Sequence, residues 1–99
     1  MHVRAATGQI QPGKMQETID IYNNSVSAIK AQKGYQGAYL MTDAGSGKVL
    51  SITIWDSEAD MLAGESIGGY YQQQVGKYAF VFAGTPTLDH YELSSENSP

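Results

Sequence analysis

A strand of strictly alternating character, residues 48–55, constrains the fold of this 99-residue chain more than any other feature. One face is apolar throughout, with Leu50, Ile52 and Ile54. The other face is mixed and carries Val49, Ser51, Thr53 and Trp55. Such alternation is typical of a β-strand. Residues 35–42 alternate as well, and residues 43–47, Asp-Ala-Gly-Ser-Gly, favour a tight turn. The two segments are therefore predicted to form a β-hairpin.

A strand and a helix are predicted before the hairpin. Residues 2–11 form a first strand, and Pro12 is placed in the first turn of the helix that follows it, where its fixed φ is tolerated. Apolar side chains then recur every three or four residues, which indicates one buried helix face. These side chains are Met15, Ile19, Tyr22, Val26 and Ile29. Gly34 is predicted to end this region.

A helix and a strand are also predicted after the hairpin. Ser57 and Asp60 resemble an N-cap with an acidic third residue, so a helix should run from Glu58 to about Ser66. Gly68-Gly69 interrupts the pattern, and a second helical segment presents Tyr71, Val75, Tyr78 and Phe82. A last strand is predicted from Thr87 to Leu93.

The predicted fold class is α+β, a ferredoxin-like βαββαβ domain over residues 1–93 with a polar tail over 94–99. Its four-stranded antiparallel sheet should carry both helical segments on one face. Leu50, Ile52 and Ile54 then lie on the uncovered face, and a second copy of the sheet is the simplest cover. We therefore expect a homodimer formed through these three residues.

Composition narrows the classes of partner. The net charge is −4, and the six Lys and Arg residues are scattered, so nucleic-acid binding is not expected. No apolar run approaches the roughly 20 residues of a membrane helix, and the N-terminus does not resemble a signal peptide. There are no cysteines. We expect a cytoplasmic protein without membrane partners.

The aromatic residues are the main candidates for ligand binding. Trp55 either stacks on an aromatic ligand or packs the helix start against the sheet. Tyr22 and Tyr78 fall on the helical stripes and are expected in the core, with a hydroxyl near any pocket. Tyr70 and Tyr71 follow the paired glycines and suit either a pocket mouth or a simple kink.

Three charged or titratable residues are further candidates. Arg4 either holds a ligand oxyanion or makes a surface ion pair. His2 and His90 are predicted in the terminal strands, which we expect to neighbour different strands, and no spacing supplies a metal site. His90 is either a general base or a partly exposed strand residue.

Three segments together resemble the antibiotic biosynthesis monooxygenase-like domain, a branch of the dimeric α+β barrel superfamily. They are Gly34-Tyr35-Gln36-Gly37-Ala38-Tyr39, the strand from Val49 to Trp55, and Trp55-Asp56-Ser57-Glu58-Ala59-Asp60. The resemblance implies a face-to-face homodimer with a ligand pocket between each sheet and its own helices. It also implies, for some members, oxidation of polycyclic phenols or quinols by O₂ with no metal or flavin. Others degrade haem.

The family's site residues match this sequence only in part. The strand-end Trp of the cofactor-free members corresponds to Trp55, whereas their Asn corresponds to Ser51 and their Tyr to Leu62. No His lies between Val3 and Asp89 to act as the haem ligand, so haem degradation is disfavoured.

Two functional hypotheses follow. The first is a cofactor-independent monooxygenase acting on an aromatic phenol or quinol. Trp55 and Ser51 are then the catalytic candidates, and the ligand-binding candidates are Thr53, Tyr70, Tyr71, Tyr78, Arg4 and His90. The second is a dimeric α+β barrel protein that binds a small apolar molecule, or serves a structural role, without catalysis. Neither hypothesis calls for a cofactor.

Overall fold

The computed structural model describes residues 1–65, 76 and 78–98. Along the chain the elements are β1 (His2–Gln9), α1 (Met15–Lys30), β2 (Tyr35–Asp43), β3 (Lys48–Trp55), α2 (Glu58–Ala63) and β4 (Thr87–Glu92). The strands form one sheet in the order β2-β3-β1-β4, and every neighbouring pair is antiparallel. The ferredoxin-like βαββαβ prediction is confirmed. No helix in the described residues is long and apolar enough to cross a membrane.

The β2–β3 hairpin forms where its turn chemistry predicted. Asp43 accepts hydrogen bonds from the Gly45 backbone N–H at 3.2 Å and from the Ser46 hydroxyl at 2.9 Å. The Ser46 bond is the main reason that the pKa of Asp43 is lowered. Gly47 has φ of 79°, a left-handed value that glycine adopts without a Cβ penalty. The turn thereby sets the register that pairs Asp43 with Lys48.

Helix α1 begins three residues later than predicted. Pro12 lies in a turn that precedes the helix, in which the Lys14 N–H donates to the Gln11 carbonyl at 3.1 Å. Gly13 has φ of 80°, which no helical residue adopts. The prediction of Pro12 in the first helical turn was therefore wrong, because Gly13 reverses the chain before the helix starts.

The buried face of α1 differs from the predicted apolar stripe. Its buried residues are Thr18, Tyr22, Ser25 and Ile29, again at spacings of three and four. Thr18 and Ser25 each donate a hydroxyl hydrogen bond, 2.8 Å long, to the backbone carbonyl four residues earlier. Because both hydroxyls are satisfied within the helix, their burial costs little. The helix is rotated so that two small polar residues face the sheet, while Ile19 and Val26 are only half-buried.

The second half of the chain has shorter elements than predicted. Ser57 caps α2 as expected, accepting the Asp60 N–H at 3.1 Å. The helix ends at Ala63 rather than near Ser66. The Gly68-Gly69 interruption and the positions of Tyr71 and Val75 lie outside the described residues.

The two strands that hold the histidines are neighbours. Strand β4 pairs with β1, so that Arg4 lies opposite His90 and His2 lies opposite Glu92. Our expectation that the two terminal strands neighbour different strands was wrong. In this topology β1 lies between β3 and β4, so the last strand pairs directly with the first.

The described core has two apolar clusters on the helix side of the sheet. One contains Ile10, Val49 and Val81, and the other contains Ile29, Trp55 and Met61. The opposite sheet face carries Leu50, Ile52 and Ile54, all half-buried, beside the exposed Tyr39, Met41 and Tyr91. Among the described residues, no helix packs on this mostly apolar sheet face, hereafter the uncovered face.

Candidate functional site

A cavity of about 500 Å³ lies between the sheet and helix α1. The sheet supplies Arg4 and Ala6 from β1, Leu40 from β2, and Val49, Ser51 and Thr53 from β3. The helix supplies Thr18, Tyr22 and Ile29, and residues 78–86 close one side. The volume lies within the range of small-molecule pockets, and the lining is mainly apolar with a few polar groups.

Hydroxyl groups from three parts of the chain cluster in or beside the cavity wall. Tyr22 belongs to α1, Ser51 to β3, and Tyr78 to the segment that closes the cavity. Among the described residues, the buried Tyr22 hydroxyl has no partner of hydrogen-bonding geometry. Ser51 is nevertheless close enough to lower the pKa of Tyr22. An incompletely satisfied hydroxyl beside a cavity is a recognition point for a ligand oxygen.

Both cavity tyrosines favour their protonated form. Burial is the main cause and raises the pKa of Tyr22 above its ordinary value, against the opposing effect of Ser51. Burial likewise raises the pKa of Tyr78, while a hydrogen bond with Ser25 lowers it and Tyr22 adds to the increase. At neutral pH both phenols therefore remain uncharged hydrogen-bond donors.

Arg4 is the charged residue among the described lining residues, and it is only 5% exposed. Its Nε donates to Glu65 Oε2 at 2.9 Å, and Nη2 donates to the Met61 carbonyl. The guanidinium carbon lies 5.5 Å from the centroid of the Trp55 ring, within the range of a cation–π contact. Arg4 thus makes an ion pair, as one alternative predicted, although the pair lies in the interior rather than on the surface.

Trp55 does not line the cavity. Its side chain is fully buried and packs against Ile29 and Met61. Tyr35 contacts it edge-on, with ring centroids 6.2 Å apart. The indole Nε1 donates to Thr53 Oγ1 at 3.0 Å. This geometry is that of a packing residue that also orients Thr53, whose hydroxyl hydrogen is left to donate into the cavity.

The structure brings some of the predicted site residues together and separates others. Ser51, Thr53, Tyr78 and Arg4 all line the cavity. His90 lies outside it, 38% exposed, with Nε2 2.8 Å from Glu65 Oε2. Tyr70 and Tyr71 lie outside the described residues.

Other cavity residues were not singled out from the sequence. Thr18 escaped notice because a polar residue breaks an apolar stripe, although its spacing of four from Tyr22 matches the helix period. Leu40 lies in the predicted hairpin, but the sequence left open which face of that strand meets a pocket. Phe82 was predicted on the stripe of the second helical segment and not as a site residue. That helical assignment was wrong, because Phe82 forms an isolated β-bridge with Ile10 and lines the cavity. Nothing local in the sequence indicates that contact.

A second, smaller cleft lies across the end of the sheet, lined by residues that include His2, Glu58, Leu62 and His90. Leu62, which the resemblance matches to the family's Tyr, lines this cleft and is 42% exposed. In the part of the chain that the structure describes, no three His, Cys, Asp or Glu side chains are arranged to hold a metal ion.

The family model described as antibiotic biosynthesis monooxygenase matches residues 1–64 of the chain. This match covers β1 through α2, including the hairpin and every cavity residue of the sheet. The chain therefore belongs to the antibiotic biosynthesis monooxygenase family. No curated protein sequence matches the chain.

Solved structures share the fold over nearly the whole chain. The NE2512 protein from Nitrosomonas europaea, of unknown function, is 15% identical with a TM-score of 0.79, and the match covers 99% of this chain and 93% of that one. Rv0793 from Mycobacterium tuberculosis is 12% identical with a TM-score of 0.77, covering 98% of both chains. A candidate antibiotic biosynthesis monooxygenase from Deinococcus radiodurans is 15% identical with a TM-score of 0.77, covering 100% and 98%. At these identities the likeness establishes the fold alone.

Proposed function

We propose that the protein is a cofactor-independent monooxygenase that oxidises an aromatic phenol or quinol in the cavity between sheet and helix. The observation that carries this proposal is the cluster of uncharged hydroxyl donors in and beside an otherwise apolar cavity. Apolar walls suit a planar ring system, and the donors suit an oxygen that becomes negatively charged during the reaction. Membership in the monooxygenase family supports the same assignment.

In this proposal the substrate oxygen lies between Tyr22 and Ser51. The phenolic proton passes to solvent water, and the Tyr22 O–H donates to the phenolate that remains. Burial raises the pKa of Tyr22, so the residue keeps its proton and remains a donor at neutral pH. Thr53, oriented by the Trp55 indole, adds a second donor two residues along β3. Exclusion of water strengthens each of these hydrogen bonds.

The substrate supplies all the electrons. With an anthrone, the phenolate form reduces O₂, a carbon–oxygen bond forms at the methylene carbon, and the O–O bond then breaks. One oxygen atom becomes the new carbonyl and the other leaves as water, so that the methylene compound and O₂ give the quinone and H₂O. The protein contributes binding, orientation and stabilisation of negative charge.

The direct test is anaerobic mixing of the protein with an anthrone or a reduced naphthoquinol, followed by admission of O₂. The appearance of the quinone is followed by absorbance, with isotopically labelled O₂ to trace the atom that enters an anthrone product. We expect acceleration over buffer, with label in the product and no accumulation of hydrogen peroxide from the anthrone. If no substrate in a reasonable panel is accelerated, the monooxygenase proposal fails.

Tyr22→Phe tests the assignment within the cavity. Removing the hydroxyl takes away a donor to the phenolate, so turnover should fall about tenfold or more while the fold is retained. Tyr39→Phe is the matched control, because Tyr39 is exposed on the opposite sheet face. Equal activity in wild type and Tyr22→Phe would remove Tyr22 from the mechanism.

Binding without turnover is the outcome that favours the second hypothesis, a non-catalytic binding protein of the same fold. The position of Trp55 gives that hypothesis its specific support, since one of the two predicted catalytic residues lies outside the cavity. Tyr22→Phe should then weaken ligand affinity without any oxygen-dependent signal.

A further inference from the structure

Three polar side chains that are distant in sequence meet behind one wall of the cavity. They are Arg4 in β1, Glu65 just after α2 and His90 in β4. Glu65 Oε2 accepts from Arg4 Nε at 2.9 Å, and His90 Nε2 lies 2.8 Å from the same oxygen and 3.0 Å from Oε1. One carboxylate therefore joins two strands that lie side by side in the sheet.

Exposure rises along this chain of contacts. The side chain of Arg4 is 5% exposed, that of Glu65 16% and that of His90 38%. Arg4 lines the cavity, whereas Glu65 lies behind it and does not. The positive charge of Arg4 beside the cavity is thus balanced by the Glu65 carboxylate of the protein itself.

We infer that Glu65 is a positioning residue that reserves the cavity for uncharged aromatic ligands, by holding Arg4 in an ion pair. The inference deepens the proposed function and rests on its assignment of the cavity as the ligand site. It specifies that the substrate enters without a carboxylate or other fixed negative charge.

The physical reason is the cost of a second anion beside one cation. A ligand carboxylate next to Arg4 loses its hydration on entering the apolar cavity, and it also faces repulsion from Glu65 across the guanidinium. No other described lining residue carries a positive charge, so Arg4 alone would have to balance both Glu65 and the ligand carboxylate. A neutral phenol meets neither penalty when it binds, because its negative charge develops only during the reaction.

The test compares two probes of similar size, 1-naphthol and 1-naphthoate, by calorimetric titration at neutral pH. Wild-type protein should bind 1-naphthol about tenfold or more tightly than 1-naphthoate. In Glu65→Gln the Arg4 charge is no longer compensated, so the ratio of affinities should move toward 1-naphthoate by about tenfold. A merely structural effect of the substitution weakens both probes alike and leaves the ratio unchanged.

Two further variants isolate the charge of Glu65. Glu58→Gln removes a negative charge from an exposed carboxylate that approaches His2 rather than Arg4, and the ratio should remain that of wild type. His90→Gln keeps an N–H donor toward Glu65 without an imidazole, and the preference for 1-naphthol should persist. If circular dichroism shows that Glu65→Gln does not fold, the double variant Arg4→Met/Glu65→Met replaces it. That variant should retain 1-naphthol binding and gain none for 1-naphthoate.

The outcomes separate this inference from the function on which it rests. If wild type binds both probes equally, or if Glu65→Gln folds and leaves the ratio unchanged, the inference is overturned while the cavity remains a ligand site. If neither probe binds, the cavity assignment and the inference both fail.

Discussion

The indole of Trp55 is enclosed by Ile29, Met61 and Tyr35, and its N–H is donated to Thr53. The family motif includes this residue, but its ring does not line the cavity and contacts the cavity residue Thr53 instead. It holds Thr53 in place and anchors the contact between α1, α2 and the sheet. A tryptophan at a strand end is thus a marker of the fold whether or not its ring meets a substrate.

Trp55→Phe should therefore act mainly on stability. The smaller ring leaves a cavity and removes the hydrogen bond to Thr53, which together should lower the free energy of unfolding by about 2 kcal/mol. Denaturant titration measures this loss, and turnover per folded molecule should change less than about threefold. An unchanged stability with a tenfold loss of turnover would contradict the packing role and restore Trp55 as a catalytic residue.

Long-range polar contacts were the part of the site least accessible to prediction. Arg4 was recognised as a candidate, but Glu65 lies 61 positions away and contacts it only because α2 packs against β1 and β3. His90 was expected apart from His2, and strand pairing instead placed it opposite Arg4. Sequence spacing carries no information on such contacts, since the sheet order decides them.

At the scale of the secondary-structure elements, local signals predicted most of the architecture. The hairpin was predictable because its alternation and turn residues act within a few positions, and Ser57 was predictable as a cap for the same reason. The orientation of α1 was not, because Thr18 and Ser25 satisfy their hydroxyls on their own helix backbone and are then buried. A helix face predicted from apolar residues alone leaves both on the surface, and it therefore assigns the wrong residues of α1 to the buried face.

Two glycines that flank α1, Gly13 before it and Gly34 after it, allow the cost of backbone strain to be separated from the cost of a steric clash. Gly13 and Gly34 have nearly equal φ values, 80° and 82°. A Cβ at Gly13 meets nothing within 4 Å, whereas one at Gly34 clashes with the Asp60 carboxylate in α2. Gly13→Ala isolates the cost of a left-handed residue, about 1 kcal/mol.

Gly34→Ala should cost more than Gly13→Ala, by about 1 kcal/mol or more, because Asp60 must move as well. Thermal or denaturant unfolding of both variants gives the comparison. Adding Asp60→Ala to Gly34→Ala should recover part of the difference. Equal losses in the two single variants would show that Asp60 rotates aside freely and that the junction does not restrain α2.

At the scale of the whole molecule, the two sheet faces have different surroundings. The helix-side face holds the cavity and the two described core clusters. The opposite face has Leu50, Ile52 and Ile54 half-buried at its centre, with Tyr39 and Met41 exposed beside them. A 99-residue chain buries a smaller fraction of its surface than a larger domain does. Leaving an apolar sheet face in water therefore forgoes a substantial part of the hydrophobic stabilisation available to the chain. Pairing of two such faces about a twofold axis would recover it.

We therefore predict that wild-type protein is a homodimer at micromolar concentration and that Ile52→Lys is a monomer. Ile52 lies between Tyr39 on β2 and Ala5 on β1, at the middle of the uncovered face. A buried lysine there would meet its symmetry-related copy without a counter-charge, which disfavours association. Light scattering gives the mass of each, and Ala28→Lys on the exposed side of α1 is the control, expected to remain dimeric. A wild-type mass equal to that of one chain would refute the dimer.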